Sequence, residues 1–282
     1  MRAAAAPGTV AGMTDHRPSS AGPGPTARPA TDGSHAASPF AAEVGKVVFP
    51  DVPAERRALD LRIAATYDWT FGLHGASPRA VLWSNRRGQT LRFRQLERLF
   101  GPELRRGGLF RAPSGAARIA DFGCGYGALF GWLRRRRWLG LEARYDGYDL
   151  SPKMIDAGRA RFPDPRAAFH LAGTVTADAD YVFASGTFGL KLDVPGDAWG
   201  EHCRALLRAL WGRAERGLGF NMLNRRGRRG RPDDGSLFYA EPADWAAFAR
   251  DALGAEVLLL DRYTPHDFTV LAWRPGCRPP GR

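Results

Sequence analysis

Residues 117–133 read ARIADFGCGYGALFGWL and set Asp121, Gly123, Gly125 and Gly127 two residues apart. Residues 119–122 close a short apolar run of strand character, while Leu129, Trp132 and Leu133 recur at helical spacing, so the glycines fall on a strand-to-helix turn. Glycine suits such a turn because it accepts positive φ and has no Cβ to hold a ligand off the main chain. Taken with Ala128, the same letters also satisfy G-x-G-x-x-A, in which a dinucleotide pyrophosphate rests on the helix N-terminus. Spacing alone leaves both chemistries open. Asp121 favours a cationic ligand, because a carboxylate at the strand tip repels a pyrophosphate.

A second acidic position supports that choice. YDGYDL, residues 145–150, reads as a second strand ending at Asp149, roughly 20 residues beyond the last glycine, where an acid can accept both ribose hydroxyls of an adenosine. Ser151 and Pro152 follow as N-cap and first-turn proline, which puts Asp149 on a strand-to-loop junction. Together these residues resemble the class I, Rossmann-like S-adenosylmethionine-dependent methyltransferases. The family's motif I, (D/E)-x-G-x-G-x-G, stands here as Asp121-Phe122-Gly123-Cys124-Gly125-Tyr126-Gly127. The resemblance implies S-adenosylmethionine as methyl donor, held by Asp121, the three glycines and Asp149, with Met154 on the adenine. It also implies Gly173 and Thr174 at the adenine edge, and Ala184, Ser185 and Gly186 beside the methyl group. A helix before the first strand commonly supplies a cation for the methionine carboxylate, and Arg92 stands in that place. Read singly, Asp149 is also a surface turn acid and Asp121 a helix-capping carboxylate. The strings SGTFGLKLD, LFYAEP and DFTVLAW extend the similarity to a group of uncharacterised bacterial methyltransferases, and they name no substrate.

The surrounding pattern alternates strand and helix, which predicts an α/β fold with a mostly parallel sheet covered by helices on both faces. Strands are expected at 167–171, 180–185 and 217–223, and helices after Ser151, after Asp197 as N-cap and at 242–253. The last two strands, 256–263 and 268–273, are joined by TPHD, too short for a helical crossover, so they must pair antiparallel. That arrangement is the seven-stranded sheet with closing hairpin that the resemblance implies. Four regions are expected: a disordered tail at 1–40, a helical extension or lid at 41–113, the methyltransferase core at 114–276 and a short tail at 277–282. Within the extension, helices are predicted at 54–67 and 89–104. Between them, YDWTFGLHGASPRAVLW reads as a long ordered loop of the kind that forms lids, with Tyr67, His74 and Trp83 as candidates for the roof. Trp83 and Phe71 equally read as plugs that pack the extension onto the core.

The net charge of +12 raises the question of nucleic acid, and two arginine runs sharpen it. Lysine occurs only at Lys46, Lys153 and Lys191, so arginine carries the basic character of the whole surface. The run at 134–137 reads as the wet face of a helix, whereas Arg225, Arg226, Arg228, Arg229 and Arg231 lie in a loop after a strand, where substrate or phosphate contact is expected as an alternative to a mobile surface loop. DADYVFASGTF, residues 178–188, corresponds to the family's motif IV and lacks both its (D/N)-P-P-(Y/F/W) tetrad and a Pro-Cys pair, so the resemblance implies that exocyclic amines of DNA and pyrimidine carbon-5 are disfavoured targets. A small-molecule acceptor is therefore the leading expectation, with RNA or protein methylation through residues 225–231, or a catalytically silent cofactor-binding protein, as alternatives. A hydroxyl or protonated amine needs a base, for which His74 and His266 are the weak candidates; each also reads as structural or solvent-exposed. Cys124, Cys203 and Cys277 show neither metal-ligand nor disulfide spacing, so no metal is expected. With no apolar run of signal-peptide or membrane-spanning length, the expectation is a soluble, cytoplasmic protein.

Overall fold

The computed structural model describes residues 54–83, 85–100, 117–135, 143–228 and 235–279. The expected tail at 1–40 lies outside the described residues, as do parts of both arginine runs. Strands β1 (Arg118–Phe122), β2 (Arg144–Asp149), β3 (Ala167–Leu171), β4 (Ala179–Ala184), β5 (Ala214–Asn224), β6 (Tyr239–Ala240), β7 (Glu256–Leu260) and β8 (Asp267–Trp273) form one sheet. Its order is β3-β2-β1-β4-β5-β8-β7, with β6 paired to β5. Pairing is parallel except for β8, which runs antiparallel to both β5 and β7. The sheet thus has one strand more than the expected seven, because Tyr239 and Ala240 bond to Leu223 and Asn224 over too short a length to leave a period in the sequence.

Helices α1 (Ala54–His74), α2 (Arg86–Leu96), α3 (Ala128–Arg135), α4 (Pro152–Arg161), α5 (Gly196–Arg213) and α6 (Pro242–Asp251) complete the described elements with three short 3-10 turns. Residues 67–74 are helical, a correction to the expected lid loop. Tyr67 and Phe71 continue a face begun by Asp60 and Ala64, which are buried with Asp68, while Trp69 is exposed, and Gly75 ends the helix at φ +56° by donating to the Phe71 carbonyl at 2.8 Å. Only a 3-10 turn, Pro78–Val81, remains between α1 and the next segment. Helix α2 starts three residues earlier than expected, because Asn85 caps it by accepting from Gly88 N at 2.8 Å. It gives way to a 3-10 turn at Glu97–Leu99. In α5, Asp197 lies in the first turn, one residue inside the helix, rather than at the cap.

The core fills both faces of the sheet. One cluster joins Phe220, Phe268 and Trp199, and the other joins Phe130, Tyr145, Phe183 and Trp273 with Leu96 and Leu99 of the extension. Indole Nε1 of Trp273 donates to the Leu99 carbonyl at 2.9 Å, so the second cluster also clamps the extension to β8. Helix α1 is tied at three points: Arg62 to Asp193 at 2.8 Å, Asp60 to His202 at 3.5 Å, and Asp68, which accepts from the Ser151 hydroxyl. The first pair is exposed and contributes little; the other two are buried.

Ser151 serves two roles, since its Oγ also accepts from Met154 N at 3.1 Å as the N-cap of α4. Losing that cap and one donor to buried Asp68 together costs about 2 kcal/mol. Ser151→Ala is expected to lower the urea midpoint by that much stability at unchanged slope. A midpoint equal to the wild type would show that α1 and α4 do not depend on this contact.

Candidate active site

The sheet order reverses at β1, with β2 on one side and β4 on the other, and a crevice opens at the C-terminal ends of such strands. Asp121 and Asp149, near the ends of β1 and β2, both line the cavity found there, with Gly123, Gly125 and Met154. Ser185, Gly186 and Thr187 enter from the end of β4. The glycine turn is held by Tyr148, whose carbonyl accepts from Gly123 N at 2.8 Å and Cys124 N at 3.0 Å. Gly123, Gly125 and Gly127 all have positive φ, between +53° and +77°. Space matters as much as torsion, since a Cβ on Gly123 would sit 2.6 Å from the Thr187 hydroxyl, itself bonded to the Phe122 carbonyl.

The two acids differ in what they hold. Asp149 accepts from Gly125 N at 2.8 Å and from Ser151 N at 2.9 Å, so it stiffens the glycine turn while facing the cavity. Burial raises its carboxyl above the ordinary value despite those bonds. Asp121 is only 2% exposed; Oδ2 accepts from the Tyr145 hydroxyl at 2.6 Å, and Oδ1 has no hydrogen-bond partner among the described residues. Burial pushes its carboxyl up to about 7, with the Tyr145 bond opposing and the Asp149 charge adding to the shift. Cys124 is buried and its thiol is raised well above the usual range by burial and the nearby carboxylates.

The extension forms the other wall. Ile63, Ala64 and Tyr67 come from α1, Val81 and Trp83 from the segment around the 3-10 turn, and Gln89 and Phe93 from α2. Tyr67 and Trp83 therefore line the cavity as expected of a roof, whereas His74 is exposed at the end of α1 and does not line it. Arg92 does not line it either. Its guanidinium meets Asp267 at 2.5 Å and lies 4.0 Å from the centre of the Trp83 ring, a committed ion pair that backs the wall. Gly173 and Thr174 follow β3 just beyond Ala172, which is the residue of that loop that lines the cavity. His266 packs against Gly227, away from the cavity. Tyr239 and Glu241 line a separate cavity with Arg225 and Arg228.

Sequence reasoning missed Ile63, Gln89, Phe93 and Thr187. Thr187 sat in the quoted SGTFG string, but the three others belong to helices whose apolar period marks burial without saying against what.

A parallel sheet reversing at β1, a positive-φ glycine turn and an acid at each of two adjacent strand ends define the Rossmann-like class of nucleoside-cofactor enzymes. A family model described as a methyltransferase domain matches residues 119–210. The chain is 35% identical to Rv1506c of Mycobacterium tuberculosis, a protein named as a methyltransferase, over 154 residues that cover 54% of this chain and 90% of that one. Among solved structures, magnesium protoporphyrin IX methyltransferase from Synechocystis PCC 6803 with bound S-adenosylmethionine is similar with a TM-score of 0.49 at 16% identity, over 80% of this chain and all of that one. An O-methyltransferase family protein from Burkholderia thailandensis gives 0.48 at 15% identity, over 78% and 60%. The chain belongs to the class I S-adenosylmethionine-dependent methyltransferases.

The residues present fit that cofactor. An unpartnered buried carboxylate oxygen at Asp121 suits a cationic ligand, and the backbone at Gly125 is bare where a Cβ would fill the space before Val81 and Met154. The Asp121 shift has a sign that can be checked without any ligand. With a folded value near 7 against an unfolded 3.8, the folded state binds more protons between those values, so stability falls as pH rises through that window. At about 1.36 kcal/mol per unit, the wild type should lose on the order of 4 kcal/mol relative to Asp121→Asn between pH 4 and 8. Urea denaturation of both proteins across that range measures it, and a constant difference would overturn the assignment.

Proposed function

We propose that this methyltransferase transfers the methyl group to an oxygen or nitrogen atom of a small-molecule acceptor. The observation that carries the reading is the shared lining of one cavity: the cofactor acids and the β4 end on one side, and three segments of the extension on the other. A roof built from α1, the 3-10 turn and α2 suits an enclosed acceptor more than a polymer. Arg225 and Arg228 line the other cavity, so the reading in which the basic loop grips RNA draws on none of the residues around Asp121.

In this reading Asp121, Asp149, Met154 and the backbone of the glycine turn hold the cofactor, which when bound supplies a methyl carbon activated by sulfonium charge. Ser185 and Gly186 lie beside the reacting centre. Asn221 fixes them, since its Oδ1 accepts from Gly186 N at 2.8 Å and its Nδ2 donates to Ser185 Oγ at 3.3 Å. The protein's contribution is to orient the two reactants and exclude water. His74 and His266 do not line the cavity, so neither is assigned as base. Burial, and then the Asp149 charge, raise the Tyr67 hydroxyl, which lines the same cavity, well above its ordinary value.

Calorimetry with S-adenosylhomocysteine tests the cofactor half of the reading. The wild type should bind, and Asp149→Ala should bind at least about tenfold more weakly, the loss of one charge-assisted hydrogen bond. Absent binding by the wild type, or undiminished binding by the variant, would sink it.

A further inference from the structure

The acceptor side of the cavity carries information about what enters it. Among the described residues, the charged side chains that line the cavity are the carboxylates Asp121 and Asp149. Of the residues that the extension contributes to the cavity, Trp83 lies against Gly186 at the β4 end with Phe93 beside it, and Gln89 lies by Tyr126 of the glycine turn. Trp83 and Phe93 lie with ring centres 6.1 Å apart, and Phe93 is packed in turn 6.4 Å from Trp132. Trp83 is fixed from two sides: the Arg92 guanidinium lies over its ring, and a Cβ on Gly186 would fall 2.6 Å from it. Arg92 is spent on Asp267, with side-chain exposures of 14% and 7%, so the cation beside Trp83 supports the ring and is already neutralised, while Arg161 lies farther along, 5.6 Å from the ring of Tyr126. Gln89, whose amide reaches the Tyr126 hydroxyl at 3.5 Å, and Tyr67 of α1 are the polar side chains that the extension offers to the cavity.

We infer that the acceptor is an uncharged, flat, apolar-faced molecule that presents a hydrogen-bonding hydroxyl or amine, and that phosphorylated, carboxylated or sulfonated acceptors are rejected. The inference rests on the methyltransferase reading of this same cavity and narrows its substrate class. An anion entering beside Trp83 and Phe93 would leave water to face an aromatic wall, losing solvation with no opposite charge gained from those rings or from the Arg92 guanidinium already paired with Asp267. A neutral ring gains apolar burial and contact with Trp83 and Phe93. Rejection by an unpaired charge is a strong source of selectivity, because a missing partner costs more than a missing methylene.

The test uses the full chain saturated with S-adenosylhomocysteine and three probes that share one ring: 2-naphthol, 2-naphthyl phosphate and 2-naphthalenesulfonate. Titration calorimetry should show 2-naphthol binding at least about tenfold more tightly than either anion. Gln89→Lys, a substitution of similar length on a half-buried position of α2, should narrow or reverse that ratio, each probe being titrated into protein saturated with S-adenosylhomocysteine. Equal or tighter binding of an anion by the wild type overturns the inference, as does failure of all three probes to bind. A ratio unmoved by Gln89→Lys overturns its assignment to this wall. If S-adenosylhomocysteine itself does not bind, the cofactor reading fails first, and the two failures are thereby told apart.

Discussion

The structure turns on one buried charge site, the Asp121 carboxylate at the C-terminal end of β1. Its strand neighbours Ile119, Ala120 and Phe122 are apolar and buried, and the parallel strands β2 and β4 flank it on both sides. Placing a carboxyl there is unfavourable, and the Tyr145 hydroxyl relieves only one of its oxygens. Such a group persists because β1 is paired along its length on both edges and cannot swing the side chain into water. The same constraint explains the glycine turn. With the strand end fixed, the chain must reverse over bare backbone to reach α3, and Gly123 has to clear Thr187 while Gly127 clears Phe169, 2.8 Å from a would-be Cβ.

The second acid couples that turn to the extension. Asp149 bonds Gly125 N and Ser151 N, Ser151 caps α4 and donates to Asp68, and Asp68 belongs to α1. A short chain of hydrogen bonds therefore runs from the turn to the helix that carries Ile63, Ala64 and Tyr67 into the cavity. Buried polar contacts of this kind contribute modest net stability but fix geometry, because each unmade bond is expensive. Wall and floor of the site are thus positioned by the same few polar groups rather than by packing alone.

The sheet and the two acids at its strand ends were legible because each rests on local signals. Asp121 and Asp149 stand at strand ends marked by apolar runs before them and by glycine or Ser-Pro after them, and the closing hairpin follows from the four residues TPHD. The extension was less legible. Residues 67–74 look like a loop by composition, with Trp69, Phe71 and Gly72 together, yet tertiary burial of Asp60, Ala64 and Asp68 on one face outweighs that local preference. Arg92 shows the same limit. Its position before β1 suggested a role toward the methionine carboxylate, but Asp267 is 175 residues away in the chain and no local pattern announces their meeting.

The Arg92–Asp267 pair also explains how an aromatic wall is kept beside two carboxylates without drawing a cation into the cavity. Both partners are largely buried, so breaking the pair by removing either one leaves an uncompensated charge, whereas the intact pair presents a neutral unit to its surroundings. The guanidinium plane is then free to lie on Trp83, an interaction that strengthens when desolvated. A lysine could keep the charge but not the flat contact with the ring. Arginine at this position therefore serves the shape of the cavity through Trp83, while Asp267, as the first residue of β8, anchors it to the antiparallel end of the sheet. Extension and sheet are joined there by an interaction whose charge is cancelled before it reaches the site.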